Sequence, residues 1–467
     1  MQFRLQKSMP FSLFRKLLAI GAFALILLVV LHLISGIIEE RQSYRDQVAD
    51  SIASSWTGQQ KMVGPLLVAP YKIVRNIDKW FYEDGKRIST SDKVVTEKAK
   101  YFLPESLTVN AIADTQFRHR GLYSVPVYVS DLKIAARFEV SNAVEIDDEK
   151  ASVEWGTPFL VFGVQDIRGI NKTPEVVVNG EAIDIRPGTN VRFLKQGVHA
   201  TLKPLPDEPQ HWKVDMSLSL QGMKQLSFLP TGRSSSVTLA SPWPHPSFVG
   251  RYLPKSRQVS DAGFEASWQT THFSSNMGQD FENCALRRKC MDFLSNQFGV
   301  QLQSGVDVYV QSDRAIKYAL LFVGLTFVAF FMFEILKDLR IHPIQYGLVG
   351  FALALFYLLL LSLSEHVEFV LSYVIAAAAC AGLIGFYVSA VLGSVRRGTG
   401  FGAGLAALYA ALFILIGSED YALVMGSALI FVVLAVIMIV TRNVDWHAIG
   451  KGEDTPPAPS PEPQPAD

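Results

Sequence analysis

The chain has 467 residues, 49% of them hydrophobic and 18% charged, and 43 basic side chains balance 43 acidic ones for a formal charge of +0. A neutral balance gives no electrostatic footprint for a polyanion, so nucleic acid is excluded from the expected partners. The hydrophobicity is concentrated near the N-terminus and between Ile316 and Val440, so the expected fold is an α-helical membrane bundle with six transmembrane helices plus a large, mainly antiparallel β periplasmic domain.

Residues 1–16 carry Arg4, Lys7, Arg15 and Lys16, and residues 17–38 then run apolar, interrupted only by His32. At about 1.5 Å per residue that stretch spans about 33 Å as a helix, one bilayer core. A basic segment before an apolar run also describes a signal peptide. The run is too long for one, however, and Ile37-Ile38-Glu39-Glu40 is no small-residue cleavage site, so a retained anchor is expected.

Residues 39–315 form a polar insert holding six of the seven tryptophans, ample for a core of its own. A helix is expected over Arg41 to Ser55, continuing out of the anchor. After it the dominant period is two: Leu132, Ile134, Ala136, Phe138 and Val140 alternate with mostly polar residues, as do Val214, Met216, Leu218 and Leu220. Such segments are half-buried strands. Val176 to Val178, then Asn179-Gly180, then Ile183 and Ile185, predicts a hairpin, because Asn-Gly supplies the positive φ of a type I′ turn. Further strands are expected at Leu66 to Ala69, Phe159 to Phe162, Val191 to Leu194, Val237 to Ala240 and Val306 to Val310, with a helix around Phe281 to Phe298. Whether the strands make one sandwich or two smaller units is open.

Ser241-Pro242-Trp243-Pro244-His245-Pro246-Ser247-Phe248 sets three alternate prolines in an extended segment. It reads either as a rigid connector between sheets or as an interaction loop presenting Trp243, His245, Ser247 and Phe248. Cys284 and Cys290 fall on the oxidising side, where a bridge would contribute about 2 kcal/mol. On one continuous helix they would face apart, so the residues leave that pairing open.

The second apolar region, 316–440, divides at polar breaks into spans 316–336, 344–364, 368–392, 398–417 and 421–440. Lys337, Arg340 and His342 mark the first break, Glu365 and Glu368 the second, Arg396 and Arg397 the third, Glu419 and Asp420 the fourth. Basic and acidic turns alternate. Counting Lys and Arg puts both termini in the cytoplasm and 39–315 outside it; the resemblance described below makes that outside the periplasm. Glycines 398, 400, 402 and 404 make two GxxxG pairs suited to close helix packing inside the bundle. Arg314 and Lys317, with Glu365 and His366, are expected on one side of the membrane as a contact between insert and bundle; Arg442 and Asp445 could make a cytoplasmic latch. Residues 441–467 end in a proline-rich run read as a disordered tail.

A search for chemistry returns no HExxH, GxSxG, P-loop or dinucleotide fingerprint. His119, His199, His211, His245 and His272 lack metal-ligand spacing, so no catalytic residue, metal or cofactor is expected. His32 is the only ionisable group well inside a span, fewer than a coupled transporter would be expected to carry.

The sequence resembles the CreD (cell envelope integrity) family of inner-membrane proteins through GQQKMVGPLLVAPY at 58–71, YFLPESL at 101–107, SPWPHPSF at 241–248, SDRAIKYALLFVGLTFVAFFMFE at 312–334, HPIQYGLVGFALALFYLLLLSLSEH at 342–366 and VTRNVDW at 440–446. The likeness covers about residues 10 to 448 and leaves out the Cys284/Cys290 segment and the tail. It implies a Gram-negative inner-membrane protein made under a two-component system, affecting envelope integrity and tolerance to a DNase colicin and β-lactam stress. It implies no reaction. The expected function is therefore a non-enzymatic envelope-stress protein whose periplasmic domain binds or supports an envelope component, with membrane lipid and an envelope protein or polymer as partners. A transporter or lipid-handling protein and an enzyme acting on envelope polymers are the alternatives.

Overall fold

The computed structural model describes residues 11–83, 86–144, 146, 151–303, 307–336, 341–418 and 421–442. Two compact units divide the chain: Arg45–Gly305, built of strands, and Met1–Tyr44 with Val306–Asp467, built of helices. Helix α1 (Phe11–Ser55) begins in the helical unit and ends in the β unit.

The β unit continues with β1 (Gln60–Glu83), β2 (Lys86–Phe102), β3 (Ser106–Arg120), β4 (Tyr123–Val140), β5 (Ala151–Trp155), β6 (Phe159–Gly163), β7 (Glu175–Val178), β8 (Glu181–Ile183) and β9 (Ile185–Pro187). Then come β10 (Gly197–Thr201), β11 (Gln210–Met223), β12 (Gln225–Leu229), β13 (Ser234–Ser241), β14 (Pro246–Gly250), β15 (Ser256–Ser260) and β16 (Gly263–Thr271), helices α2 (Met277–Arg287) and α3 (Met291–Ser295), and β17 (Phe298–Leu302). One sheet has the order β14-β17-β12-β1-β6-β10-β9, with β2 and β5 also on β1; the other runs β15-β16-β13-β3-β4-β11-β7-β8. β1 lies parallel to β12 and β13 to β3, so the sheets are mixed rather than purely antiparallel.

Period two explains the pairing. Val214, Met216 and Leu218 on β11 stand opposite Ala136, Ile134 and Leu132 on β4, all buried on one face. Leu67, Phe162, Phe228 and Phe298 of the nine-stranded sheet join that cluster, closing one inter-sheet core. Asn179 and Gly180, at φ 51° and 86°, turn β7 into β8. Lys224, at φ 64°, is the single residue between β11 in one sheet and β12 in the other.

Three expectations change. Val191 to Leu194 is a turn, not a strand: Asn190 takes φ 56°, and the Thr189 hydroxyl accepts from Val191 N–H and donates to the Leu194 carbonyl, so local hydrogen bonding overrides β propensity. The helix over 281–298 breaks, because Arg288 adopts the left-handed conformation (φ 59°) at the end of α2, and Phe298 opens β17. Val308 to Val310 begins helix α4 (Val308–Lys317), since the Asp307 carboxylate caps it by accepting from Tyr309 N–H at 2.9 Å.

The helical unit continues with α5 (Ala319–Leu336), α6 (Pro343–Ser364), α7 (Phe369–Val391), α8 (Val395–Gly417) and α9 (Ala422–Thr441). Among the described residues four helices are long and apolar enough to cross a membrane: Leu18–Ser55, Pro343–Ser364, Phe369–Val391 and Val395–Gly417. α4 and α5, bent by 44°, count as a fifth if taken together; the apolar stretch Leu423–Ile439 is shorter. The span expected straight from residue 316 is thus broken near Tyr318, and the polar run 311–314 is helical. Gly402 of α8 packs on Gly385 of α7, where an added Cβ would come within 3.4 Å of the opposing Cα. Gly400 and Gly404 meet no such neighbour.

Candidate functional site

The proline-rich segment leaves β13 in one sheet and enters β14 in the other, so residues 242–245 are a crossover. Its anchors point inward. Trp243 is buried, its indole N–H donating to the carbonyls of His245 (3.2 Å) and Gln303 (2.9 Å). Phe248 packs edge-on against Phe264 and Trp268, each at 5.9 Å between ring centroids. Of the interaction loop expected here, His245 is exposed and Ser247 half-buried within β14, while the two aromatic side chains belong to the core.

The four residues expected at an insert–bundle contact lie in the helical unit. Lys317 pairs with Asp313 at 2.7 Å, one turn back on α4. Glu365 accepts from Tyr309 Oη at 3.2 Å and faces Arg41 Nε at 3.6 Å. His366 Nδ1 lies 3.2 Å from the Ser362 carbonyl, and Arg314 stands in the last turn of α4. Arg442 follows α9; Asp445, its expected latch partner, lies outside the described residues.

A groove on the outer face of the nine-stranded sheet was not foreseen. On β1 and β6, Met62, Leu67, Ala69, Leu160 and Phe162 face the inter-sheet core, whereas Val63, Leu66, Val68 and Val161 face the opposite way and form a separate cluster with α2 and α3. Over this outer face lie two neighbouring cavities of about 1000 and 610 Å³, both lined by Ala99, Tyr101, Ala285 and Leu286. The larger is rich in charge: Lys72, Lys98, Arg192 and Arg288 against Glu97 and Glu154. Lys72 and Glu97 pair with each other at 3.2 Å. The smaller is walled by Leu103, Met277, Phe281 and the shared strip, with Thr231, Arg233, His272 and Glu282 also lining it.

Local chemistry builds the groove's far wall. The reversal at Arg288 brings Cys290 back to Cys284, and a disulfide joins them. The broken helix removes the geometric objection that a continuous one raises. Asn296, fully buried, donates to Asp280 at 2.8 Å and accepts from Arg251 at 2.5 Å, tying α2 to the following turn. Lys61 of β1 donates to the Leu294 carbonyl at 3.5 Å, and burial pulls its ammonium below the usual lysine range. Beneath, Tyr101, Phe193, Phe281 and Phe293 pack with ring centroids 5.2 to 6.1 Å apart. Burial raises the Tyr101 phenol pKa against the opposing pull of Arg192.

A second polar cluster explains the GQQKMVGP stretch. Buried Gln60 donates to the carbonyls of Asp166 (2.9 Å) and Gln221 (3.1 Å) and accepts from Asp166 N–H (3.2 Å). Gly169 and Gly222 leave no room for a Cβ beside it. Tyr128, its hydroxyl donating to the Gln225 carbonyl at 2.7 Å, is pushed up by burial. Arg168 pairs with Asp166 at 2.6 Å, holding that carboxyl below its ordinary range, and donates to the Ser54 carbonyl at the end of α1. The fully satisfied amide of Gln60 marks this cluster as structural. Among the described residues no group of three or more His, Cys, Asp or Glu is disposed to hold a metal ion.

Long apolar helices combined with a large mixed β unit define a multi-pass membrane protein. The family model described as "Inner membrane protein CreD" matches residues 12–447, and the chain belongs to that family. It is 40% identical over 442 residues to "Inner membrane protein CreD" of Escherichia coli (strain K12), covering 93% of this chain and 94% of that protein. Among solved structures, an M1 zinc metallopeptidase from Deinococcus radiodurans aligns at 10% identity and TM-score 0.18 over 36% of this chain and 38% of that one. Yeast LTA4 hydrolase in complex with bestatin aligns at 7% identity and TM-score 0.21, over 44% and 30%. Likenesses this slight carry no argument about fold or activity.

Proposed function

We propose that this inner-membrane protein acts without catalysing a reaction, by binding an envelope component in the groove of a β unit exported to the periplasm. The groove itself carries the reading: it holds a cavity of about 1000 Å³, and its wall is held by a covalent link rather than left to loop mobility. Six spans, with both termini cytoplasmic and 39–315 periplasmic, fit the alternation of basic and acidic turns. The Cys284–Cys290 bridge fits an oxidising compartment.

Two measurements test this. An alkaline phosphatase fused near residue 200 is expected to be active, and one fused after residue 442 inactive; the reverse pattern overturns the orientation. A photoreactive residue in place of Leu286, which is 66% exposed and lines both cavities, is expected to trap a discrete envelope species in native membranes. Labelling no stronger than from Val259, exposed on β15, would overturn the groove as a binding site.

A further inference from the structure

We infer that the outer edge of β2 pairs with the same edge of a second copy of this chain, antiparallel, with Val95 of one copy opposite Val95 of the other. The two ribbons then merge into one sheet, ordered β1-β2-β2-β1.

A long edge is available for this. β1 and β2 pair in one unbroken register from Leu67 opposite Phe102 to Glu83 opposite Lys86, and among the described residues β2 pairs with no strand on its other side. From Lys93 to Lys98 every residue is exposed, including Val94 at 40% and Val95 at 47%. An open edge presents a row of unpaired N–H and C=O groups, a template for a further strand.

Strand geometry restricts the registers. In an antiparallel pair, residues directly opposite each other either both turn their N–H and C=O toward the neighbouring strand or both turn them away. These groups alternate sides along a strand, so an edge meeting its own copy sets even numbers opposite even and odd opposite odd. The two-fold axis therefore passes through a residue, not between two.

Charge selects among the registers that remain. About Val95, Asp92 stands opposite Lys98 and Lys93 opposite Glu97, each match occurring twice by symmetry. Centring on Asp92, Lys93, Glu97 or Lys98 puts that charge against itself. Centring on Val94 leaves all four facing uncharged residues, and centring on Thr96 offers Asp92 only Lys100, already bonded to the Ser141 and Ala143 carbonyls. Within the ribbon Lys79 pairs with Asp92 at 2.6 Å and Lys72 with Glu97 at 3.2 Å. Each uses one carboxylate oxygen and leaves the other for the second copy's lysine. Charges that only guard an edge repel their own copies; these are opposite in sign about Val95.

The test uses the full chain in native membranes carrying Val95→Cys, whose thiols meet across the two-fold axis with Cα atoms about 4.5–5.5 Å apart, within disulfide reach. Cys284 and Cys290 are bridged and Cys380 is buried, so the new thiol is the accessible one. Under mild oxidation Val95→Cys is expected to yield about tenfold more disulfide dimer than Val94→Cys, whose two copies lie out of register by two residues and more than about 7 Å apart. Lys93→Glu or Glu97→Lys, each added to Val95→Cys, sets like charges opposite twice and is expected to lower the homodimer about tenfold. Co-expressed under different tags, the two charge variants are expected to recover cross-linking as a mixed dimer, in which every pair is again opposite in sign. That recovery also shows that both variants fold. Val95→Cys dimer no more abundant than Val94→Cys dimer, charge variants that cross-link as well as the parent, or a mixed pair no better than either alone would overturn the inference. So would a Val95→Cys adduct at the mass of another protein, which would assign the edge to that protein's strand.

Discussion

The two faces of the nine-stranded sheet are built from the same strands and have opposite fates. The inner face closes against a second sheet, and its large residues vanish: Phe162, Phe228, Phe298 and, from the facing sheet, Trp268 are at most 1% exposed. Among the described residues the outer face is covered by two short helices and a turn, fastened by one disulfide, and a groove remains. Burial of apolar area supplies most of the stability, at about 25 cal/mol per Å². A face left partly open forgoes some of that.

Substitutions can break or sharpen this contrast. Trp268 stacks on Phe298 at 5.4 Å in the closed face; Trp268→Ala is expected to cost about 3–5 kcal/mol in urea unfolding of the full chain in micelles, and a cost below 1 would show that the closed face is not where stability resides. Gly222→Ala forces a methyl against the Tyr128 hydroxyl and the Gln60 side chain; a loss of roughly 1–3 kcal/mol is expected, partly recovered by Tyr128→Phe. Cys284→Ser/Cys290→Ser should cost about 2 kcal/mol or less, and the accompanying rise in hydrogen exchange should be confined to α2 and α3. Faster exchange in β4 and β11 would mean that the two faces are not separable. The smallest effect is expected from Asp166→Asn. The Arg168 partner lowers the folded pKa of Asp166, so its stabilising share is present above the unfolded value of about 3.9 and disappears as pH falls through the folded one. The stability gap between wild type and variant should therefore hold near neutrality and close in acid.

The closed face was largely legible in the sequence because it is written in period two: β4, β11 and the Asn179-Gly180 turn fall where the alternation and the turn chemistry put them. The open face was not. Its wall depends on Arg288 adopting a left-handed backbone and on Thr189 holding a turn through a stretch of β-prone residues, neither of which has a periodic signal. The long ribbon of β1 and β2 was equally hidden, since its outer half buries little and leaves Ile77, Trp80, Val94 and Val95 exposed. Four of the six expected spans were legible from hydropathy as long apolar helices, whereas the last is shorter and the bend near Tyr318 was not foreseen, because an apolar run has no record of where its axis turns.

The passage at Lys224 has one further implication. A chain that leaves one sheet and joins the other through a single left-handed residue has no slack, so the layers cannot slip past each other without tearing ladder hydrogen bonds on both sides. The proline crossover at 242–245 acts as a second clasp between the same layers. Melting should then be concerted across the strands of both sheets, and a guest seated on one side of the sandwich would raise the melting temperature of the whole.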